Sequence, residues 1–155
     1  MLLEQGEGQG AIHTALERYE AGSVFAIGNS ARGEELFVLQ GDLCFDDNEH
    51  GAGTYIRRAE SSSKNVFTKS GCMLFVKRNH FRVSKPENVI VDTTVASWHP
   101  GHGKLEVMPL VSGIEGSTLV KWPANEVFVP HKHEGGEEIL VLLSLIHISE
   151  PTRPY

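Results

Sequence analysis

Residues 14–39, TALERYEAGSVFAIGNSARGEELFVL, and residues 117–142, STLVKWPANEVFVPHKHEGGEEILVL, carry one pattern at an offset of 103 positions. Nine of the 26 aligned positions are identical: Leu16/Leu119, Ala21/Ala124, Val24/Val127, Phe25/Phe128, Gly33/Gly136, Glu34/Glu137, Glu35/Glu138, Val38/Val141 and Leu39/Leu142. Arg18/Lys121, Tyr19/Trp122 and Leu36/Ile139 are conservative pairs. An ungapped match that holds a GEE triplet between two apolar runs implies two copies of one unit.

Each copy is patterned as β-structure. Residues 24–27 and 127–129 are short β-branched and aromatic runs ahead of polar turns. Residues 36–39 and 139–142 are unbroken apolar runs, which suit strands covered on both faces. In the first copy, Gln40-Gly41-Asp42 is expected to turn the chain into residues 43–45, with a second turn at Asp46-Asp47-Asn48. Residues 54–57 and 72–77 continue a series of short strands, the spacing of an all-β sandwich or barrel. The stretch 83–104, with Lys85-Pro86 and Trp98-His99-Pro100-Gly101, is expected to connect the copies.

Composition agrees and excludes some functions. Twenty acidic residues against 14 basic give a net charge of −6, with a pI near 5.7, so no nucleic-acid partner is expected. A hydrophobic share of 40% is enough for a packed core. Sixteen glycines and seven prolines punctuate the chain too often for long helices. Two cysteines, Cys44 and Cys72, allow no disulfide framework and point to a reducing, cytoplasmic setting. There is no secretory apolar segment at the start, and the longest apolar run, residues 139–148, is too short for a membrane span. Residues 6–10, GEGQG, lack the Lys-Ser/Thr of a phosphate loop.

One cluster has the logic of metal ligation. His131 and His133 are two apart, so on a strand they would present two imidazoles on one face. A turn at Gly135-Gly136 would bring Glu137 back beside them. Two imidazoles and a carboxylate suit iron, manganese or zinc and leave coordination positions open. The same residues can also be read as a solvated polar loop. His13, His50, His80, His99 and His102 are isolated or flank turns, and no Ser-His-Asp or Cys-His arrangement is legible. Catalytic residues therefore stay unassigned.

His131, His133 and Glu137 resemble the first cupin motif, G-x5-H-x-H-x3,4-E-x6-G, with Asn125 in place of its first glycine. The surrounding sequence is similar to the ChrR-type cupins. The first copy fits the same frame as Gly22, Gly28, Ser30, Glu34 and Gly41: the glycines are kept and the histidines lost. Residues 53–57 and 70–77 resemble the family's second motif, with Lys64 near the place of its fourth ligand. The resemblance implies a jelly-roll, or double-stranded β-helix, sandwich: one complete lobe and part of a second. It divides the chain into repeat 1 at 1–82, a linker at 83–104 and the first part of repeat 2 at 105–142. It also implies a divalent metal (Zn, Fe or Mn) held by His131, His133 and Glu137, and a first repeat that holds none. In that repeat Lys64 is expected to bring positive charge toward the metal position.

Residues 143–155, LSLIHISEPTRPY, match nothing in the first copy, and LSLIHISEPTR looks like the translation of a common sequencing-transposon adapter. That stretch is expected to be adapter-derived, leaving the second copy a fragment and the chain inactive as an enzyme. Two function classes follow from the resemblance. One is a regulatory, sensing or small-molecule-binding module. The family includes anti-sigma factors responsive to oxidative stress, whose separate zinc-binding region has no counterpart read here. The other is an Fe(II)-dependent dioxygenase of a small organic substrate. The partners expected are a small molecule and a second copy joined through sheet edges.

Overall fold

The structure, a computed structural model, describes residues 1–6, 11–27, 30–59, 64–81, 87–113, 116–127 and 137–143. Residues 7–10, Gly28, Lys85-Pro86, 128–136 and 144–155, on which several of the readings above fall, lie outside them. The described residues hold strands and no helix, and so no helix long and apolar enough to cross a membrane. Met1–Ala124 and Asn125–Tyr155 form two compact units.

In the first unit the strands are β1 (Leu2–Gln5), β2 (His13–Tyr19), β3 (Val24–Ile27), β4 (Glu34–Phe45), β5 (Asn48–Gly51), β6 (Thr54–Arg58), β7 (Lys64–Phe67), β8 (Cys72–Arg78) and β9 (Val89–Asp92). A smaller sheet is built from β10 (His99–Pro100), β11 (Glu106–Val111) and β12 (Ser117–Lys121). Every pairing is antiparallel. The main sheet runs β1-β2-β8-β4-β6-β9, while β3, β7 and β5 gather on the far half of β4. This is the expected all-β sandwich of short antiparallel strands.

The long strand β4 makes the sandwich. Residues 34–41 pair with β8, and residues 34–37 also with β6; residues 42–45 pair instead with β5, and Cys44 with Phe67 of β7. No turn forms at Gln40-Gly41-Asp42, contrary to expectation. A register shift between Val38 and Gln40, followed by Gly41 at φ +76°, carries one strand across from one layer to the other. The turn at Asp46-Asp47 does form. Both residues have positive φ, as a two-residue hairpin loop of the primed type requires.

Alternation along the strands gives the main sheet two buried faces. Leu36, Val38, Ile56, Leu74 and Val76 point inward and meet Ile27, Leu43, Phe45 and Val66 in the sandwich core. At about 1.5–3 kcal/mol for each fully buried large aliphatic side chain, this cluster is the main source of cohesion. The opposite face carries Phe37, Tyr55, Val89 and Val91, covered by Met108, Leu110 and Leu119 of the small sheet. The stretch expected to be a connection thus supplies β9, which pairs with residues 54–57 of β6.

In the second unit, residues 139–142 are not a strand: Ile139 is 59% and Val141 67% exposed. The strand expected there does not form, and among the described residues no strand pairs with this run.

Candidate metal centre

Glu34 is the carboxylate that the motif frame picks out in the first unit. Glu34 is the first residue of β4, on the inner face, and is 1% exposed. In register beside it stand Arg58 of β6 and Arg78 of β8, with His13 of β2 opposite Arg78. This row closes one end of the core, because the inward face of each strand turns from apolar to ionic there.

Arg78 dominates the row. Its Nε donates to Glu34 Oε2 at 3.2 Å, and its two terminal nitrogens donate to Glu17 Oε1 and Oε2 at 2.5 and 2.9 Å. The fork-to-carboxylate pairing with Glu17 is the strong, two-bonded kind. Tyr19 donates its hydroxyl to Glu17 Oε2 at 2.8 Å, and His13 Nε2 stands 4.0 Å from Glu17 Oε1. Burial alone would raise the Glu17 carboxyl, but the Arg78 hydrogen bonds and charge outweigh it and hold the carboxyl below its ordinary value. For Arg78, burial works against the charge and loses to Glu17 and Glu34, so its guanidinium is held more firmly protonated than usual. Burial, then the Glu17 carboxylate, pushes the Tyr19 phenol up to about 12.

A divalent ion does not fit this end of the first unit. Ser30, buried at 9% exposure, is a weak donor for such metals, and the guanidinium already sits on the carboxylate. The source of positive charge differs from the one expected. Lys64, at the start of β7, turns to Asp46 in the neighbouring hairpin, forming an ion pair there. Arg78 carries the charge to Glu34 instead. Sequence reading passes over Arg78 and Glu17, although each stands on the inward alternation of an apolar strand, C-x-L-x-V-x-R and H-x-A-x-E-x-Y.

The outer face has its own buried polar group. Glu35 is 7% exposed; it accepts hydrogen bonds from the Tyr55 hydroxyl at 2.5 Å and from the Ser117 hydroxyl at 2.8 Å. Arg57 Nε lies 3.8 Å from the same Glu35 oxygen, and its guanidinium carbon stands 3.9 Å from the Phe81 ring centroid. The adjacent glutamates of the GEE triplet thus serve opposite faces of one sheet.

In the second unit, Glu137 is exposed and lies in no strand, and His131 and His133 lie outside the described residues. Among the described residues, no three His, Cys, Asp or Glu side chains come together as a metal site. Of the remaining histidines, His80 pairs through Nε2 with the Thr14 hydroxyl at 3.1 Å and His50 stacks on Phe45. His99 and His102 are exposed. Both cysteines are free and buried. A family model, the ChrR cupin-like domain, matches residues 1–82 and 86–144. No curated protein matches the chain.

Proposed function

The chain belongs to the ChrR cupin-like domain family, and from that membership we propose that it is a metal-binding cupin module with its divalent ion held by His131, His133 and Glu137 of a second repeat. The observation that carries this reading is the place of Glu34. The motif's carboxylate in the first repeat lies on the inner face at the head of β4, buried at the end of the sandwich. At the repeat offset Glu137 takes the same place in the motif, with two histidines where the first repeat has Gly28 and Ser30. The two separate stretches matched by the family model support a two-repeat reading. Neutral imidazoles and a carboxylate form a donor set for zinc, iron or manganese.

The module's role in this proposal is regulatory or sensory, through a small molecule or the metal itself, in the cytoplasm. The same donor set also suits an iron-dependent dioxygenase, and metal identity separates the two readings. Elemental analysis of the full chain should find a divalent metal that is lost in the His131→Ala/His133→Ala double variant and weakened in Glu137→Gln. Zinc without oxygen uptake supports the module; Fe(II) with substrate-dependent oxygen uptake supports the enzyme. Metal retained in full by the double variant would sink both.

A further inference from the structure

We infer that Arg78 is the resident cation of the first repeat: its guanidinium stands in the place of a metal ion, inside what would otherwise be a site of His13, Glu17 and Glu34. Three observations converge. The motif's carboxylate, Glu34, is almost fully buried and receives the Arg78 Nε at 3.2 Å. The opposite side of the guanidinium is clamped by both oxygens of Glu17, with His13 Nε2 4.0 Å from one of them. The cation is therefore held between two carboxylates, with an imidazole beside one of them, and these are donors that divalent ions also take.

The second repeat supplies the contrast. At the repeat offset Glu17 becomes Val120, while Gly28 and Ser30 become His131 and His133. A copy with two neutral imidazoles needs no second carboxylate to balance a divalent ion held by Glu137. A copy with an arginine in the site does, because one carboxylate on the Nε alone leaves the terminal nitrogens of a half-buried guanidinium without a counter-charge. The pairing of Glu17 with Arg78 thus fills the site with an internal cation and makes the first lobe independent of metal. All of these atoms lie within Met1–Ala124, so the inference stands apart from the reading of His131 and His133.

The test uses the full chain carrying His131→Ala/His133→Ala, which removes the other proposed metal donors. In this background the melting temperature should be indifferent to Zn(II) or Mn(II). Adding Arg78→Ala should lower it and make it rise by several degrees with either ion. Adding Glu34→Gln as well should abolish that rise. If Arg78→Ala does not fold without metal, recovery of folded protein on refolding with Zn(II) supports the inference, and failure to recover overturns it. It is also overturned if the parent shows a saturable metal-dependent rise that Glu34→Gln removes. A folded Arg78→Ala variant that ignores both ions overturns it equally.

Discussion

Gly41 and Gly71 meet backbone to backbone: a Cβ on Gly41 would overlap the Gly71 carbonyl oxygen. That oxygen also accepts the Asp42 N–H at 3.4 Å, so the approach belongs to the crossing of β4 between layers. Gly41 has φ +76°, where a side chain is strained in any case. Gly41→Ala should therefore cost about 3 kcal/mol or more, from strain and a clash with backbone that cannot move aside. Gly22, with a similar φ of +79° but open space around it, is the control. Gly22→Ala should cost about 1 kcal/mol. Denaturant midpoints of the two variants decide the matter, and equal losses would show that the contact contributes nothing.

The next residue anchors the same crossing. Asp42 is 6% exposed and accepts hydrogen bonds from the Lys69 and Ser70 amides at 2.7 and 2.8 Å, from the Ser70 hydroxyl, and from the Cys44 thiol. Burial would raise its carboxyl, but these donors prevail and hold it at about 2, against an ordinary 3.8. A depressed folded-state value means the stabilisation is fully present above the ordinary value and is lost as pH falls toward 2. Asp42→Asn should lower stability at neutral pH by roughly 2 kcal/mol, the scale of hydrogen bonds to a charged group. The gap between variant and parent should close through that acid window in a series of urea melts. A gap that stays constant down to the acid end would rule the carboxylate out as its source.

These two residues also show how far the chain can be read without its fold. Gln40-Gly41-Asp42 carries turn chemistry, and local chemistry alone expects a turn. The structure uses the glycine for a close approach and the aspartate to cap a distant loop, both decided by partners from Lys69 to Gly71. Val24–Ile27 and Cys72–Arg78 are legible because alternation and flanking turns are local signals. Residues 139–142 have the composition of a strand, but among the described residues none pairs with them, and an extended run without a partner has nowhere to place its backbone groups. At the candidate site, Glu34 is legible from the motif frame, whereas Arg78 emerges only from the register that sets it opposite Glu34.

Glu35 ties the small sheet to the main one through Ser117, with Tyr55 as its second donor. Removing one donor leaves a buried carboxylate short of a partner, so Tyr55→Phe should cost about 2 kcal/mol. Ser117→Ala should cost about 1 kcal/mol, and the double variant should differ from the sum because both donors share one oxygen. Burial, then the Glu35 charge, pushes the Tyr55 phenol far above its ordinary value. Its phenolate absorbance should therefore appear only with alkaline unfolding. Additive losses, or ionisation of Tyr55 in the folded protein, would contradict this arrangement.

Cys44 and Cys72 are 4% and 5% exposed, on strands that meet in the sandwich core. For Cys44, burial and then the hydrogen bond to Asp42 push the thiol up; for Cys72, burial pushes it up against a smaller opposing contribution from Thr68. Thiols react as thiolates, and both are kept protonated and covered. The folded chain should consume almost no aromatic disulfide reagent at mildly alkaline pH, and both thiols should appear together when denaturant opens the core. Because each lies where β4 crosses between layers or pairs with β8, local fraying will not release one alone. Gly41→Ala, which loosens that crossing, should speed the reaction of both in proportion to its loss of stability. Rapid labelling of either cysteine in the native parent would place it outside the core described here.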